Sequence, residues 1–360
     1  MKKKLLNYLN QIWQSILFWV LAMLVFGIVR FYGIDQDDGI QIVEGYEDII
    51  KMNKILPYFA LLGAAMGLLF GSLEYWFDNI VSKKLSIGLR TLIKMAIYFI
   101  GIVVLLTLLI ELVTYVFNIH IDNDRGWWRR DKTFRVIVLY VFLAALFFSF
   151  IKISNDKFGK GVFLKMLLGK YKKPTEEYRI FMFLDLKSST TIAERLGHFK
   201  YSQLIQDCFY DLNDLVPKYG AEIYQYVGDE AVLSWPYQKG LANNQCVQLF
   251  FGFQDLLISK ENYYREKYDL VPKFKAGMHG GKLMVAEVGV VKKELAFHGD
   301  VINTSARIQS ECNNYGVSIL VSEQLIEDLH TTKDYVQKSL GSVLLKGKNE
   351  KVNIYTLDKI

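Results

Sequence analysis

Four long apolar runs constrain this chain before anything else does. They span Ile12 to Tyr32, Ile55 to Phe77, Ile93 to Phe117 and Phe134 to Ile153. Each reaches the roughly 20 residues a helix needs to cross a bilayer. Helices are also the only open segments that satisfy their own backbone in lipid. Hydrophobic residues make up 52% of the 360 residues, and the excess lies almost wholly before Ile153. A basic start at Met1 to Lys4 resembles that of a signal peptide. The run after it is too long for one and lacks a small-residue cleavage site, so it reads as the first membrane helix.

Loop charge sets the orientation. Lys2, Lys3 and Lys4 precede the first run; Lys83, Lys84 and Arg90 lie between the second and third; Lys152, Lys157, Lys160 and Lys165 follow the fourth. All three sets are cytoplasmic if both termini are inside. Gly33 to Lys54 is then an external acidic loop. The loop Asp124 to Lys132 disagrees, carrying Arg125, Arg129, Arg130 and Lys132 outside. The expectation is a multi-pass protein of the cell (inner or plasma) membrane, with both termini and the C-terminal domain cytoplasmic. The formal charge of +6 reads as membrane topology, and no nucleic-acid partner is expected. Glu74 and Glu111 fall in or near apolar runs. Glu74 reads as lying close to a helix end and Glu111 as paired with a neighbouring helix, a structural role outweighing sensing or transport. Trp127 and Trp128 read as interfacial anchors. Cys208, Cys246 and Cys312 have no metal-ligand spacing and read as reduced thiols.

Residues 154–177 read as a Lys- and Gly-rich linker broken by Pro174. Within it, Lys160 to Leu168 places Val162, Phe163, Met166 and Leu167 as a short amphipathic helix. From Tyr178 strand and helix signals alternate. Strands are expected at 180–184, 222–227, 231–235, 273–279, 282–288, 295–298 and 318–321, with a final pair near Val343 and Ile354. Helices are expected at 191–219, 241–268 and 301–315. This pattern predicts an α+β domain with helices on one sheet face.

Two acidic turns stand out in it. The run Arg179 to Ser189 ends a buried strand on Asp185. In Ala221 to Pro236, Gly228-Asp229 joins two strand-like runs, a hairpin signal. That folding brings Asp185 and Asp229 side by side at one sheet edge, where hard oxygen ligands favour Mg²⁺ or Mn²⁺. Either acid alone reads equally well as a turn residue or helix cap. A third stretch, Phe297 to Arg307, puts Asn303 and Arg307 four apart on one helix face. An amide and a guanidinium there can grip a ribose and a phosphate.

FLDLKSST (Phe183 to Thr190), YQYVGDE (Tyr224 to Glu230), KAGMHGG (Lys275 to Gly281), HGDVINTSARIQ (His298 to Gln309) and LLKGK (Leu344 to Lys348) together resemble the class III nucleotidyl cyclase catalytic domain. They keep the family's order and cover about residues 176–358. The apolar runs give an α-helical membrane domain of four transmembrane helices (1–153); the resemblance implies a transducing linker (154–177) and an α+β ferredoxin-like (βαββαβ) class III cyclase domain (178–360). It implies two Mg²⁺ or Mn²⁺ ions held by Asp185, Asp229 and the Leu186 carbonyl. Lys187, Ser188, Ser189 and Thr190 would cradle the triphosphate. Asn303 would orient the ribose, Arg307 would stabilise charge at the α-phosphate, and Lys346 would meet the terminal phosphate, unless it is a solvated loop lysine. The acids and the Asn/Arg pair would come from opposite protomers of a homodimer. His279 and His298 hold no catalytic place in the family and read as structural, and Asp300 reads as a helix cap.

The base pocket departs from the pattern. Adenylyl members carry Lys four residues before the second acid and Asp or Thr three before the Gly of HGD; here these are Gln225 and Ala296. Gln offers both a donor and an acceptor, and Ala offers neither. The Glu/Cys pair of guanylyl members is also absent. The function implied is a membrane adenylate cyclase acting on ATP. The alternatives are a guanylate or pyrimidine nucleotide cyclase, or an inactive nucleotide-binding regulatory module. A diguanylate cyclase is disfavoured, because YVGDEAV replaces its GGDEF-type turn and NTSAR stands apart.

Overall fold

The computed structural model describes residues 2–32, 52–80, 87–117, 132–158, 162–291, 293–329 and 335–360. It divides into two compact units, Met1–Lys157 and Phe158–Ile360. The expectations for the acidic loop, the basic outer loop, Lys83, Lys84, Lys160, Trp127 and Trp128 lie outside the described residues.

Among the described residues, the first unit holds four helices: α1 (Lys2–Tyr32), α2 (Met52–Ile80), α3 (Ile87–Phe117) and α4 (Lys132–Phe158). All four feed one core, with Trp19 and Met23 from α1, Met66 and Phe70 from α2, Tyr98 and Ile102 from α3, and Val141 and Ala145 from α4. Gly63, Gly67 and Gly71 recur every four residues on α2, so they share a face. That face lets α1 approach closely: a methyl group at Gly67 would sit 2.4 Å from Ile16 Cα. Small residues in such a stripe are how helices pack where lipid removes the hydrophobic drive. Leu21, Leu61, Leu92, Leu139 and Phe147 point outward and are exposed. Among the described residues, three helices carry a stretch long and apolar enough to span a membrane: Gln11–Val29, Leu56–Phe77 and Arg135–Asn155. The described apolar stretch of α3 is shorter, Leu92–Leu105, with Lys94 inside it.

Glu74 differs from its expected place at a helix end. Its side chain is 2% exposed and takes Lys94 Nζ of α3 at 3.1 Å and Lys152 Nζ of α4 at 3.4 Å. One carboxylate thus bridges three helices. Glu111 is exposed.

In the second unit, α5 (Val162–Leu167) leads into β1 (Thr175–Leu186). There follow α6 (Ser189–Leu215), β2 (Glu222–Val227), β3 (Glu230–Pro236), α7 (Tyr237–Leu241), α8 (Gln245–Ser259) and α9 (Glu261–Tyr268). The chain continues through β4 (Phe274–Val288), β5 (Glu294–His298), α10 (Asp300–Tyr315), β6 (Ile319–Ser322), α11 (Glu323–Asp328), β7 (Tyr335–Val343) and β8 (Val352–Lys359). The strands form one sheet in the order β2-β3-β1-β4-β6-β8-β7, with β5 on β4. All three cysteines are buried and unbridged.

Three expectations are corrected here. Helices cover both sheet faces. Ile180, Met182 and Leu184 of β1 pack with α6 and α8, while Phe181 and Phe183 pack with Val301 of α10. A strand buried on both faces needs cover on both, and β1 is buried from Ile180 to Leu184. Next, 273–279 and 282–288 are one strand. Gly280 and Gly281 signal a turn in sequence, but β1 pairs with β4 without interruption from Thr175↔Val285 to Leu186↔Phe274. The glycines serve close approach instead: a methyl at Gly280 would lie 2.5 Å from the Tyr237 ring. Finally, the helix expected over 241–268 is broken, with Asn243 and Asn244 in left-handed conformations and Lys260 separating α8 from α9.

The linker segment joins the sheet at Tyr171. Its ring is 3% exposed among Phe181, Phe183, Leu283 and Val285. Its carbonyl accepts from Glu287 N at 2.9 Å, and its hydroxyl donates to Glu177 Oε1 at 2.9 Å. Glu177 Oε2 takes Arg179 Nη1 at 3.1 Å. Arg179 in turn donates to Glu222, the first residue of β2.

Candidate active site

Asp185 lies next to the end of β1, one residue before the chain turns into α6. It pairs in register with Glu230 on β3 and with Lys275 on β4. Asp229 occupies the β2–β3 turn beside Gly228, whose φ of 59° suits glycine. The turn therefore delivers Asp229 to the same sheet end. Burial lifts the Asp185 carboxyl above its ordinary range; Lys275 pulls it down, and the Asp229 charge pushes it up again. Burial, followed by the charges of Asp185 and Asp229, pushes Glu230 up to about 7. Tyr201 of α6 borders the group as well: burial first and the Asp229 charge next raise its hydroxyl, while a bond from Ser189 lowers it.

Two donors hold Asp185, both on one oxygen. Gln309 Nε2 of α10 donates to Oδ2 at 2.9 Å, and Lys275 Nζ lies 3.2 Å from it. Asp185 Oδ1 and the whole Asp229 carboxylate take no hydrogen bond or ion pair among the described residues. Leu186 is 1% exposed in the core, so only its backbone is available to a ligand. Carboxylates gathered at one sheet end are a hard-oxygen donor set suited to a divalent cation. No group of three or more His, Cys, Asp or Glu side chains gathers as a metal cage among the described residues. Mg²⁺ commonly binds through one or two carboxylates plus substrate phosphates, so this donor set fits it.

Lys187 N donates to Lys273 O at 2.8 Å, and Ser188 takes a left-handed φ of 59° before α6 begins at Ser189. No side chain caps that helix start, which leaves the N–H groups of Ser189 and Thr190 available to an anion. Gln225 is exposed on β2, just after a bulge at Tyr224. Ala296 of β5 pairs with Ala286 of β4. No described contact joins Gln225 to Ala296.

Asn303 is exposed and Arg307 half-buried on α10. Neither makes a described hydrogen bond or ion pair with Asp185 or Asp229. A methyl at Gly347 would come within 3.4 Å of Arg307 Nη2, so the Lys346 loop runs beside the guanidinium. Lys346 is exposed, whereas Lys348 reaches Asp300 Oδ2 at 2.7 Å. Asp300 was expected to cap α10 but makes no capping bond; it accepts from Thr304 at 3.0 Å and from Lys348. Burial raises its carboxyl, yet the Lys348 and Thr304 bonds outweigh that and hold it low. His279 is buried with Nδ1 2.7 Å from Ser322 Oγ, and burial drops it to about 4. His298 is exposed.

Sequence reasoning missed Gln309, Lys275, Glu230, Tyr201 and Lys348. A lysine inside an otherwise apolar strand and a glutamine on the inner side of a helix were the available signals. Their contacts become visible only through strand register.

A model of the adenylate and guanylate cyclase catalytic domain matches residues 171–359. Adenylate cyclase 2 of Rhizobium meliloti (strain 1021) is 34% identical over 203 residues, 56% of this chain and 56% of that protein. A receptor-type guanylate cyclase of Caenorhabditis elegans is 26% identical over 186 residues, 49% of this chain and 16% of that protein. The chain thus spans little more than half of the first relative and far less of the second. A solved bacterial light-regulated adenylyl cyclase shares the fold, at 16% identity and TM-score 0.51 over 60% of this chain and 62% of that one. The matched residues take in the whole sheet and both acidic turns, and the chain therefore belongs to the adenylate and guanylate cyclase catalytic domain family, class III of the nucleotidyl cyclases.

Proposed function

We propose that this chain is a membrane-bound adenylate cyclase that converts ATP to 3′,5′-cyclic AMP and pyrophosphate at a homodimer interface, in intracellular signalling. The convergence of Asp185 and Asp229, with Asp185 Oδ1 left without a donor, carries the reading. Asp185, Asp229 and the Leu186 carbonyl would hold two Mg²⁺ or Mn²⁺ ions in it, which would supply acidification of the ribose 3′-hydroxyl and neutralisation of phosphate charge. The 3′-oxygen gives its proton to water and bonds to the α-phosphorus as the bond to pyrophosphate breaks.

The chain's own groups orient that attack. The N–H groups of Ser188 to Thr190 cradle the triphosphate, and Lys187, whose own N–H is bonded to Lys273 O, contributes its exposed ammonium. Asn303 of the partner subunit turns the ribose, and Arg307 of the partner subunit stabilises charge at the α-phosphate. Lys346 of the partner subunit, on the loop that runs beside that chain's Arg307 and free of the bridge that occupies Lys348, meets the terminal phosphate. The absence of any described bond between this chain's Asn303 or Arg307 and its own acids supports assembly from two protomers. Gln225 reads the base beside Ala296. Adenine is favoured by the 34% identity to an adenylate cyclase, while guanine is the second reading because guanylate cyclases are also similar. Pyrimidine bases, or a module without turnover, remain as further outcomes of the test.

We assign residues 1–153 to a membrane domain, 154–177 to a linker and 178–360 to the catalytic domain. The helix α3, 31 residues long, serves as a fourth span, and both termini and the catalytic domain are cytoplasmic. The order β2-β3-β1-β4 with intervening helices supports a ferredoxin-like βαββαβ core. The deciding experiment offers ATP, GTP, CTP and UTP separately and in competition to detergent-solubilised protein with Mn²⁺ or Mg²⁺. Cyclic AMP as the preferred product is expected, and Asp229→Ala is expected to abolish it in a folded protein. Another preferred base reassigns the pocket. Undiminished product in Asp229→Ala sinks the metal assignment, and no product at all from folded dimer sinks the enzyme reading.

A further inference from the structure

The helix α10 carries more than Asn303 and Arg307. Its side toward the sheet lies on alternate residues of β4. Ser305 Oγ is 3.5 Å from His279 O, and a methyl at Gly281 would lie 2.9 Å from Val301. At Gly277 the approach is closest, since a methyl there would fall 2.1 Å from Gln309 N and 2.4 Å from Gln309 Cα. The helix backbone thus rests on the strand at that point, and only glycine admits it. Gln309 is thereby fixed over the sheet with 6% of its surface exposed. Lys275 lies two residues before Gly277 and opposite Asp185. The Gln309 amide consequently reaches Asp185 Oδ2 at 2.9 Å.

We propose that Gln309 is a positioning residue for the reaction: it holds Asp185 Oδ2, together with Lys275, so that Oδ1 is presented to the divalent cation. The proposal rests on the reading of Asp185 as a cation ligand. Two donors on one oxygen fix the rotation of the carboxylate about its Cβ–Cγ bond, and an ionised carboxylate accepts from both. Without Gln309, Asp185 keeps only the flexible Lys275 ammonium, whose donors rotate. Groups that orient a ligand in this way are typically worth about 10- to 100-fold in metal affinity. Because α10 also bears Arg307, each helix serves its own chain's acids through Gln309 and the other site through Asn303 and Arg307.

The test uses full-length protein in detergent and measures Mn²⁺ binding by electron paramagnetic resonance of the free ion, alongside product formation. Gln309→Met keeps side-chain length and removes the donor. It is expected to weaken Mn²⁺ binding by about tenfold or more, and the loss of product rate should shrink as Mn²⁺ is raised. A drop in melting temperature with an unmoved Mn²⁺ midpoint overturns the proposal. Asp185→Asn is the control for the underlying reading: if it leaves Mn²⁺ binding intact, the cation assignment itself has failed. Mixed dimers separate the two duties of α10. An Asp229→Ala chain paired with an Arg307→Ala chain leaves one composite site, whose acids belong to the Arg307→Ala chain. Gln309→Met added to that chain should shift the Mn²⁺ dependence. The same change in the other chain should not, and an equal shift from either chain overturns the assignment to Asp185.

Discussion

His279 faces Ser322 from inside the sheet, with Lys348 and Asp300 in its field. Burial first, and the Lys348 charge second, depress its pKa to about 4. The sign follows from linkage. An unfolded histidine gains its proton near 6.5, whereas the folded one resists until about 4, so the unfolded state binds more protons between those values. Stability from this group is full above about 6.5 and is lost as pH falls through the window. We expect the catalytic domain to lose about 2 kcal/mol between pH 7 and pH 5 from this residue. Urea unfolding of wild type and His279→Asn at both pH values measures it. An identical pH slope in the two proteins would count against the assignment. At this scale the sequence is legible where a residue's role is announced by its neighbours: Asp185 ends an apolar run, and Asp229 follows Gly228. Gln309 was not legible, because its role depends on Gly277, 32 positions away in sequence, allowing a helix to touch a strand.

The sequence shows where most elements fall but not how they cover one another. The acidic hairpin and α10 lie where their patterns predict. The continuous strand β4 does not, because a glycine pair encodes turning and close approach with the same letters. The α1–α2 pair shows the same ambiguity in the membrane unit, where its glycine stripe fixes helix distance. Beside that stripe, Glu74 ties α2 to α3 and α4. Removing Glu74 takes the shared carboxylate from both lysines, and breaking a buried ion pair costs on the order of 3 kcal/mol. Glu74→Leu should therefore lower the thermal midpoint of the solubilised protein, and adding Lys94→Met should recover part of the loss. Full stability in Glu74→Leu would mean that the bridge contributes nothing net.

At the scale of the whole molecule, Tyr171 is where the linker is buried in the catalytic sheet. The family match starts at this residue, and its ring is buried in the sheet's second core. A fragment beginning at Val162 should unfold at a higher temperature than the same fragment carrying Tyr171→Ala, which lacks a buried aromatic worth about 3 kcal/mol or more. Equal melting would show that the linker ring is a passenger. The bonds running from Tyr171 through Glu177 and Arg179 to Glu222 have a modular consequence. Any foreign sensor spliced upstream of Tyr171 inherits a ready-made grip on β2, the strand that carries Gln225 and leads to Asp229. A splice made after Tyr171 would join the same two proteins with that coupling severed, so the useful grafting point is set by one tyrosine rather than by linker length.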